Sequence, residues 1–470
     1  METVFIKGFS SFLKRYFLLC LLLFISLLFT LQSCHSPTAP NNGLSLTTAD
    51  VVCTEVWLKL DFTDSPSGGQ YEITRDGNIV LSGNLSQTDT VIVDTTVHPS
   101  KSYTYIAYKK QNGKTVERSA SLNITTLDST SSNYSWQLYT FGDFNATGMP
   151  SELYGVAVIN DTDIWAVGEI HTGSGDSIKT YNGINWDGKS WNLKAIPLIG
   201  PCSGGVLYPP LKTVYKLSDN KILVSDGGAI MKYDGSTATA DCGMNPLLSG
   251  AVDAVFSPNL NDIYVIGLAG TLVYSNSDVW NKIESGTSMD FFDIYSNNGN
   301  NIYICGGNYQ NDDGILLEGN ENGFHTIAEG KALGSSSQLF NPYFDGVART
   351  VWISNSGIVF FAGSWLYKDI EGHINFDKTL PGNYWGGNTH GQYWGFLSQI
   401  RGLAENQMIL VGERNTIRYF NGVRWKQLGM PYDPNSNFTW LSTAITNDLI
   451  VIVGYTTNTA NGIIMLLKRQ

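Results

Sequence analysis

The chain has 470 residues, with 29 Lys and Arg against 41 Asp and Glu, a formal net charge of −12, and only 15% charged residues. Disorder requires low hydrophobicity with high charge, so 42% apolar residues exclude a largely disordered chain. An acidic balance without any basic tract excludes nucleic acid as a partner, because affinity for phosphate backbones comes from clustered Lys and Arg.

At the N-terminus, Lys7, Lys14 and Arg15 precede an apolar run from Tyr16 to Leu31, the charged and apolar regions of an export signal. The run is short for a hydrocarbon core about 30 Å thick, which argues against an anchor helix. It ends Leu31-Gln32-Ser33-Cys34, which resembles a bacterial lipobox, although Gln32 replaces the usual small residue. That resemblance implies cleavage of residues 1–33, acylation of Cys34 and a cell-envelope address held by the lipid. His35, in place of an inner-membrane retention Asp, implies the outer membrane. Residues 34–43 carry the lipid site and a Pro-containing tether. Of the other cysteines, Cys202 and Cys242 fall near the ends of successive repeats. A bridge between them is expected in an oxidising compartment, contributing about 3–4 kcal/mol if unstrained. Cys305 is expected to be a buried small hydrophobe.

From 44 to 127 short alternating strands are expected at Glu55–Phe62, Gln70–Arg75, Asn78–Ser82, Thr90–Asp94, Tyr103–Lys109 and Ala120–Thr126, with Asp76-Gly77 as a two-residue hairpin turn. This spacing predicts a small immunoglobulin-like sandwich. The stretch Val97-His98-Pro99-Ser100-Lys101-Ser102-Tyr103 resembles the tyrosine-corner entry of fibronectin type III domains, with Val97 and Lys101 departing from the pattern. The resemblance implies a spacer or binding module with Trp57 as its core tryptophan.

A polar linker at 128–133 leads into 134–470, which repeats at about 45 residues, the mark of a repeat architecture. The landmark is an apolar run ending in Gly: Ile164–Gly168, Ile263–Gly267, Ile302–Gly306, Ile358–Gly363, Met408–Gly412 and Ile450–Gly454, with Ile222–Gly227 a looser copy. Runs apolar at every position are strands buried on both faces. An Asn or Asp turn follows most of them, with an aromatic four residues later, as in Asp187 with Trp191 and Asn421 with Trp425. The last repeat lacks an outer strand, whereas Tyr134–Tyr139 precedes the first as an orphan. The N-terminal strand is therefore expected to complete the last repeat and remove open edges. This grammar resembles seven-bladed β-propellers of the broad kelch, WD and sialidase-like class, without the diagnostic motif of any named family. The whole layout resembles uncharacterised envelope lipoproteins.

The sequence carries no GxSxG, HExxH, Walker A or Rossmann motif in context, so no cofactor or metal is expected. Asp253, Asp293 and Asp345 recur near the starts of first strands, where they would line a propeller channel. They could act as general acid and base or accept backbone hydrogen bonds from a neighbouring blade. Aromatics gather in loops between repeats: Tyr208, Tyr343, and above all Tyr384, Trp385, Asn388, His390 and Tyr393 in a Gly-rich stretch. Such rings stack on sugar faces while amides bond hydroxyls; core or rim packing is the competing reading. The expected function is a monomeric, non-enzymatic binding protein, held to the membrane by its lipid and presenting this aromatic face to a polysaccharide or envelope protein. The alternative is a carbohydrate-active hydrolase or transferase using the channel carboxylates.

Overall fold

The computed structural model describes residues 43–62, 69–85, 89–199, 204–218, 220–331, 343–370, 372–376, 396–431 and 437–470. These residues are almost entirely β, and among them no helix is long and apolar enough to cross a membrane. They divide into two compact units, the smaller built from Leu58–Ile92, Tyr103–Ile124 and the residues up to Thr47. The larger takes Thr48–Trp57, Val93–Ser102 and Thr125–Gln470.

The smaller unit is organised by hairpins. Gln70–Arg75 pairs with Asn78–Asn84 across Asp76-Gly77, whose φ values of 49° and 83° are the left-handed pair that a tight hairpin needs. Ser102–Gln111 pairs with Gln70–Arg75 on one side and with Lys114–Arg118 on the other. The second hairpin turns at Asn112-Gly113, a signal the strand reading passed over. Trp57 departs from its expected role. It is buried, but it belongs to the larger unit, where Lys368 Nζ lies 4.8 Å from its ring centroid and pairs with Glu55 at 2.6 Å.

In the larger unit, the described residues of 134–470 form seven sheets, each with four neighbouring antiparallel strands, the fourth sheet carrying a short fifth strand in parallel. Their innermost strands are β1 (Glu152–Asn160), β2 (Thr213–Ser218), β3 (Val252–Phe256), β4 (Asp290–Tyr295), β5 (Ala348–Ile353), β6 (Leu397–Ala404) and β7 (Phe438–Ile445). Each innermost strand touches the next, and β7 touches β1. The seventh sheet draws its fourth strand from Tyr134–Phe141, which pairs antiparallel with Gly462–Arg469 from Gly462↔Phe141 to Arg469↔Tyr134. A two-stranded ribbon, Leu198–Ile199 with Val206–Leu207, lies in the chain between sheets one and two.

The second strands are the expected apolar runs. Ile409, Leu410 and Val411 are fully buried, as are Val451, Ile452 and Val453, and each such aliphatic side chain removed from water contributes about 1.5–3 kcal/mol. Their two faces pack on two different neighbours, so the core is layered between sheets. One layer joins Val451 and Ile464 of sheet seven to Val156 and Ala166 of sheet one; another joins Trp165 of sheet one to Val224 and Met231 of sheet two. Cys305 lies buried in such a layer as a free thiol. The Asp and Asn turns join third strands to fourth: Asp187 Oδ1 accepts the Lys189 and Ser190 backbone N–H groups at 2.9 and 2.8 Å, and Trp191 opens the outer strand. Meanders repeated around shared inner strands make a propeller-like unit.

Candidate functional site

The seven innermost strands surround a cavity of about 380 Å³. What faces it follows from the glycine that ends each apolar run. In register, Gly168 pairs with Leu153, Gly267 with Val252, Gly306 with Phe291, Gly363 with Ala348, Gly412 with Leu397 and Gly454 with Trp440. A Cβ at any of these six glycines would collide with the carbonyl oxygen of the residue before its partner: Glu152, Ala251, Asp290, Val347, Phe396 or Thr439. Immediately after each pair the innermost strand bulges by one residue. The extra residues are Tyr154, Asp253, Phe292, Arg349, Ser398 and Leu441, and all six line the cavity. A bulge re-aims a side chain, and here it does so six times around one opening. Sheet two has Ser225 at the glycine position, paired with Thr213, and no bulge there. It contributes Lys212, whose Nζ lies 4.1 Å from the Tyr154 ring centroid.

The bulge residues interact with one another. Arg349 Nη1 donates to Asp253 Oδ2 at 3.0 Å, with its guanidinium 4.7 Å from the Phe292 ring centroid. Tyr309, just after the second strand of sheet four, packs 5.2 Å from Phe292 and 5.9 Å from Phe396, yet remains 56% exposed. Burial raises the Asp253 pKa above the usual carboxylate range, with the Arg349 charge opposing it.

One residue past its bulge, Asp293 is bound on every side. Oδ2 accepts from Thr350 Oγ1 at 2.7 Å, the Val351 backbone N–H at 3.0 Å and Arg401 Nη1 at 2.8 Å. Oδ1 accepts from Arg401 Nη2 and the Ile294 N–H. This ties β4 to β5 and β6, the structural role weighed against catalysis. Asp345 differs from expectation. It does not line the cavity: a short strand, Tyr343–Asp345, runs parallel beside Gly323–Lys331, so β5 begins only at Ala348. Tyr208 is exposed and is not among the residues lining the cavity, and the strand containing Tyr343 lies beside the fourth strand of sheet four.

Tyr384, Trp385, Asn388, His390, Tyr393, Cys34 and Cys202 lie outside the described residues. Cys242 is disulfide-bonded. Among the described residues no group of three His, Cys, Asp or Glu could hold a metal ion. Sequence reading missed Arg349, Arg401, Phe292 and Tyr309. The signal for the first and third was present, since each lies one residue past the partner of a landmark glycine.

No protein-family model matches the chain, and no curated protein matches it. Solved structures do resemble it. YCF48 bound to D1 peptide aligns at 10% identity and a TM-score of 0.47, over 71% of this chain and 95% of that one. The WD40 beta propeller domain of Doa1 aligns at 12% identity and 0.45, over 72% and 98%. The Myceliophteria thermophila Cps50 (Swd1) beta-propeller domain aligns at 9% identity and 0.45, over 70% and 99%. What those proteins bind is not carried over from this likeness.

Proposed function

We propose that this is a lipid-anchored binding protein of the bacterial envelope. In this reading residues 1–33 are removed, Cys34 carries the lipid, a fibronectin type III-like sandwich spaces the chain from the membrane, and the seven sheets are the blades of one closed propeller. Cys202 is the partner of Cys242. The partner is a polysaccharide or an envelope protein, met at the aromatic opening of the cavity and contacted also by Tyr384 and Trp385.

The observation that supports binding over catalysis is the state of the cavity carboxylates. Acid and base chemistry on a glycosidic bond needs two carboxyl groups free to reach substrate. Asp253 and Asp293 are the acidic residues among those lining the cavity, and Asp293 has both oxygens taken by backbone, hydroxyl and guanidinium donors. The test is a binding and turnover screen of the full chain, purified in detergent, against bacterial and plant polysaccharides. Binding without product is expected, weakened in the Tyr384→Ala/Trp385→Ala variant. Product formation, abolished by Asp253→Asn, would establish the hydrolase or transferase reading instead. Metabolic labelling with an alkyne-bearing fatty acid tests the anchor: label absent from Cys34→Ser but present in the parent is the expected result.

A further inference from the structure

We propose that the cavity mouth built by Phe292, Tyr309, Asp253 and Arg349 takes an uncharged sugar. This rests on the binding reading above and names its ligand class.

Three observations carry it. Tyr309 packs its ring against Phe292 and Phe396 while more than half of the residue stays in water. A large aromatic packed on two others and still wet offers an apolar face on which a sugar ring can stack, at small entropy cost. Beside it, the Asp253 and Arg349 side chains are 30% and 32% exposed. Their remaining lone pairs and N–H groups place acceptors and donors next to each other, and vicinal hydroxyls, which donate and accept at once, can use both. Finally, every charged group at this cavity is engaged, Lys216 by donating from Nζ to the Ile159 carbonyl at 3.1 Å. Arg349 is paired with Asp253, Arg401 with Asp293, and Lys212 lies on the Tyr154 ring. A charged ligand would have to draw one of these groups away from the carboxylate, guanidinium, ring or carbonyl that now holds it; a neutral polyol need not. The cavity volume falls within the range of about 300–1,000 Å³ typical of small-ligand sites.

The experiment is calorimetric titration of the full chain in detergent with neutral hexasaccharides of glucose, mannose, galactose and xylose, and with polygalacturonate and a chitosan hexamer as anionic and cationic probes. Saturable binding of a neutral hexamer, insensitive to added salt, is expected. Tyr309→Ala, a change at an exposed position, should weaken it about tenfold with an unchanged circular dichroism spectrum. Asp253→Asn should shift preference toward polygalacturonate, because Arg349 loses its counter-charge. Binding confined to the charged probes overturns the proposal, as does neutral binding indifferent to Tyr309→Ala. If no neutral hexamer binds but peptides selected from a display library do, and lose affinity in Tyr309→Ala, this inference fails while the binding reading stands. If neither class binds, both fail.

Discussion

Sheet two and the other six sheets of the larger unit solve the same packing problem differently. In six sheets a carbonyl of the innermost strand occupies the space where a Cβ would stand on the second strand, and the innermost strand bulges to accept that approach. In sheet two Ser225 keeps its Cβ, donates to the Ala229 carbonyl at 2.8 Å and receives the Gly227 N–H at 3.1 Å. Its innermost strand runs without a bulge at that point. The conserved feature of the repeat is thus a close approach of two backbones, and the glycine serves it by lacking bulk. Where the approach is relaxed, the bulge goes, and the cavity receives a lysine from ahead of the strand.

The largest expected effect tests what the bulged sheets gain from one another. Arg401→Met should destabilise by about 3–5 kcal/mol, because it leaves the buried Asp293 carboxylate without its guanidinium; Asp293→Asn in the same background should recover part of the loss. Denaturant unfolding measures both, and a loss near zero would mean β4, β5 and β6 are held by apolar packing alone. Gly306→Ala comes next, at about 1–3 kcal/mol, since the new methyl meets the backbone carbonyl of Asp290 and the strand must shift. Ser225→Ala should cost about 1 kcal/mol, the net worth of a typical hydrogen bond. If Ser225→Ala proves as costly as Gly306→Ala, the distinction between the two kinds of sheet is broken.

The smallest effect should show where the distinction ends. Asp187 in sheet one and Asp234 in sheet two both have carboxyl pKa values lowered to about 2 by backbone N–H donors in their turns, chiefly those of Ser190 and Thr237. A lowered folded pKa gives stability that is present above the unfolded value, near 4, and is lost as pH falls through about 2. Asp187→Ala and Asp234→Ala should therefore lower the unfolding midpoint slightly and equally at pH 7, with both differences shrinking below about pH 4 and vanishing below about pH 2. Unequal losses would extend the contrast to the outer turns.

Much of the repeat is legible in the sequence because its strongest signals are local. An apolar run ending in Gly reports a strand buried on both faces; Asp187 and Asn421 report turns through their own side chains; Asp76-Gly77 reports a hairpin. The unmatched strand at 134–141 was legible from what the last repeat lacks. The cavity lining was harder to read. A bulge breaks the period-two pattern at the very residue it turns inward, so Tyr154 and Arg349 carry no alternation signal. The pairs Arg349 with Asp253 and Arg401 with Asp293 span 96 and 108 positions, and only the arrangement of sheets brings them together. Asp345 was misplaced because one short parallel strand shifts where β5 begins, and Trp57 because a tryptophan in a strand reports burial without saying on what.

The seventh sheet also sets an order of events during synthesis. Tyr134–Phe141 leaves the ribosome long before Gly462–Arg469, the strand it must pair with. Arg469 Nη2 then donates to the Tyr134 hydroxyl at 2.8 Å, fastening the two strands. Until that moment the early strand waits with no hydrogen-bonded neighbour, so a chain lacking Gly462–Arg469 carries every residue that lines the cavity and still exposes unpaired strand edges. Deletion of Gly462–Arg469 alone should therefore turn the protein into one that captures other strands.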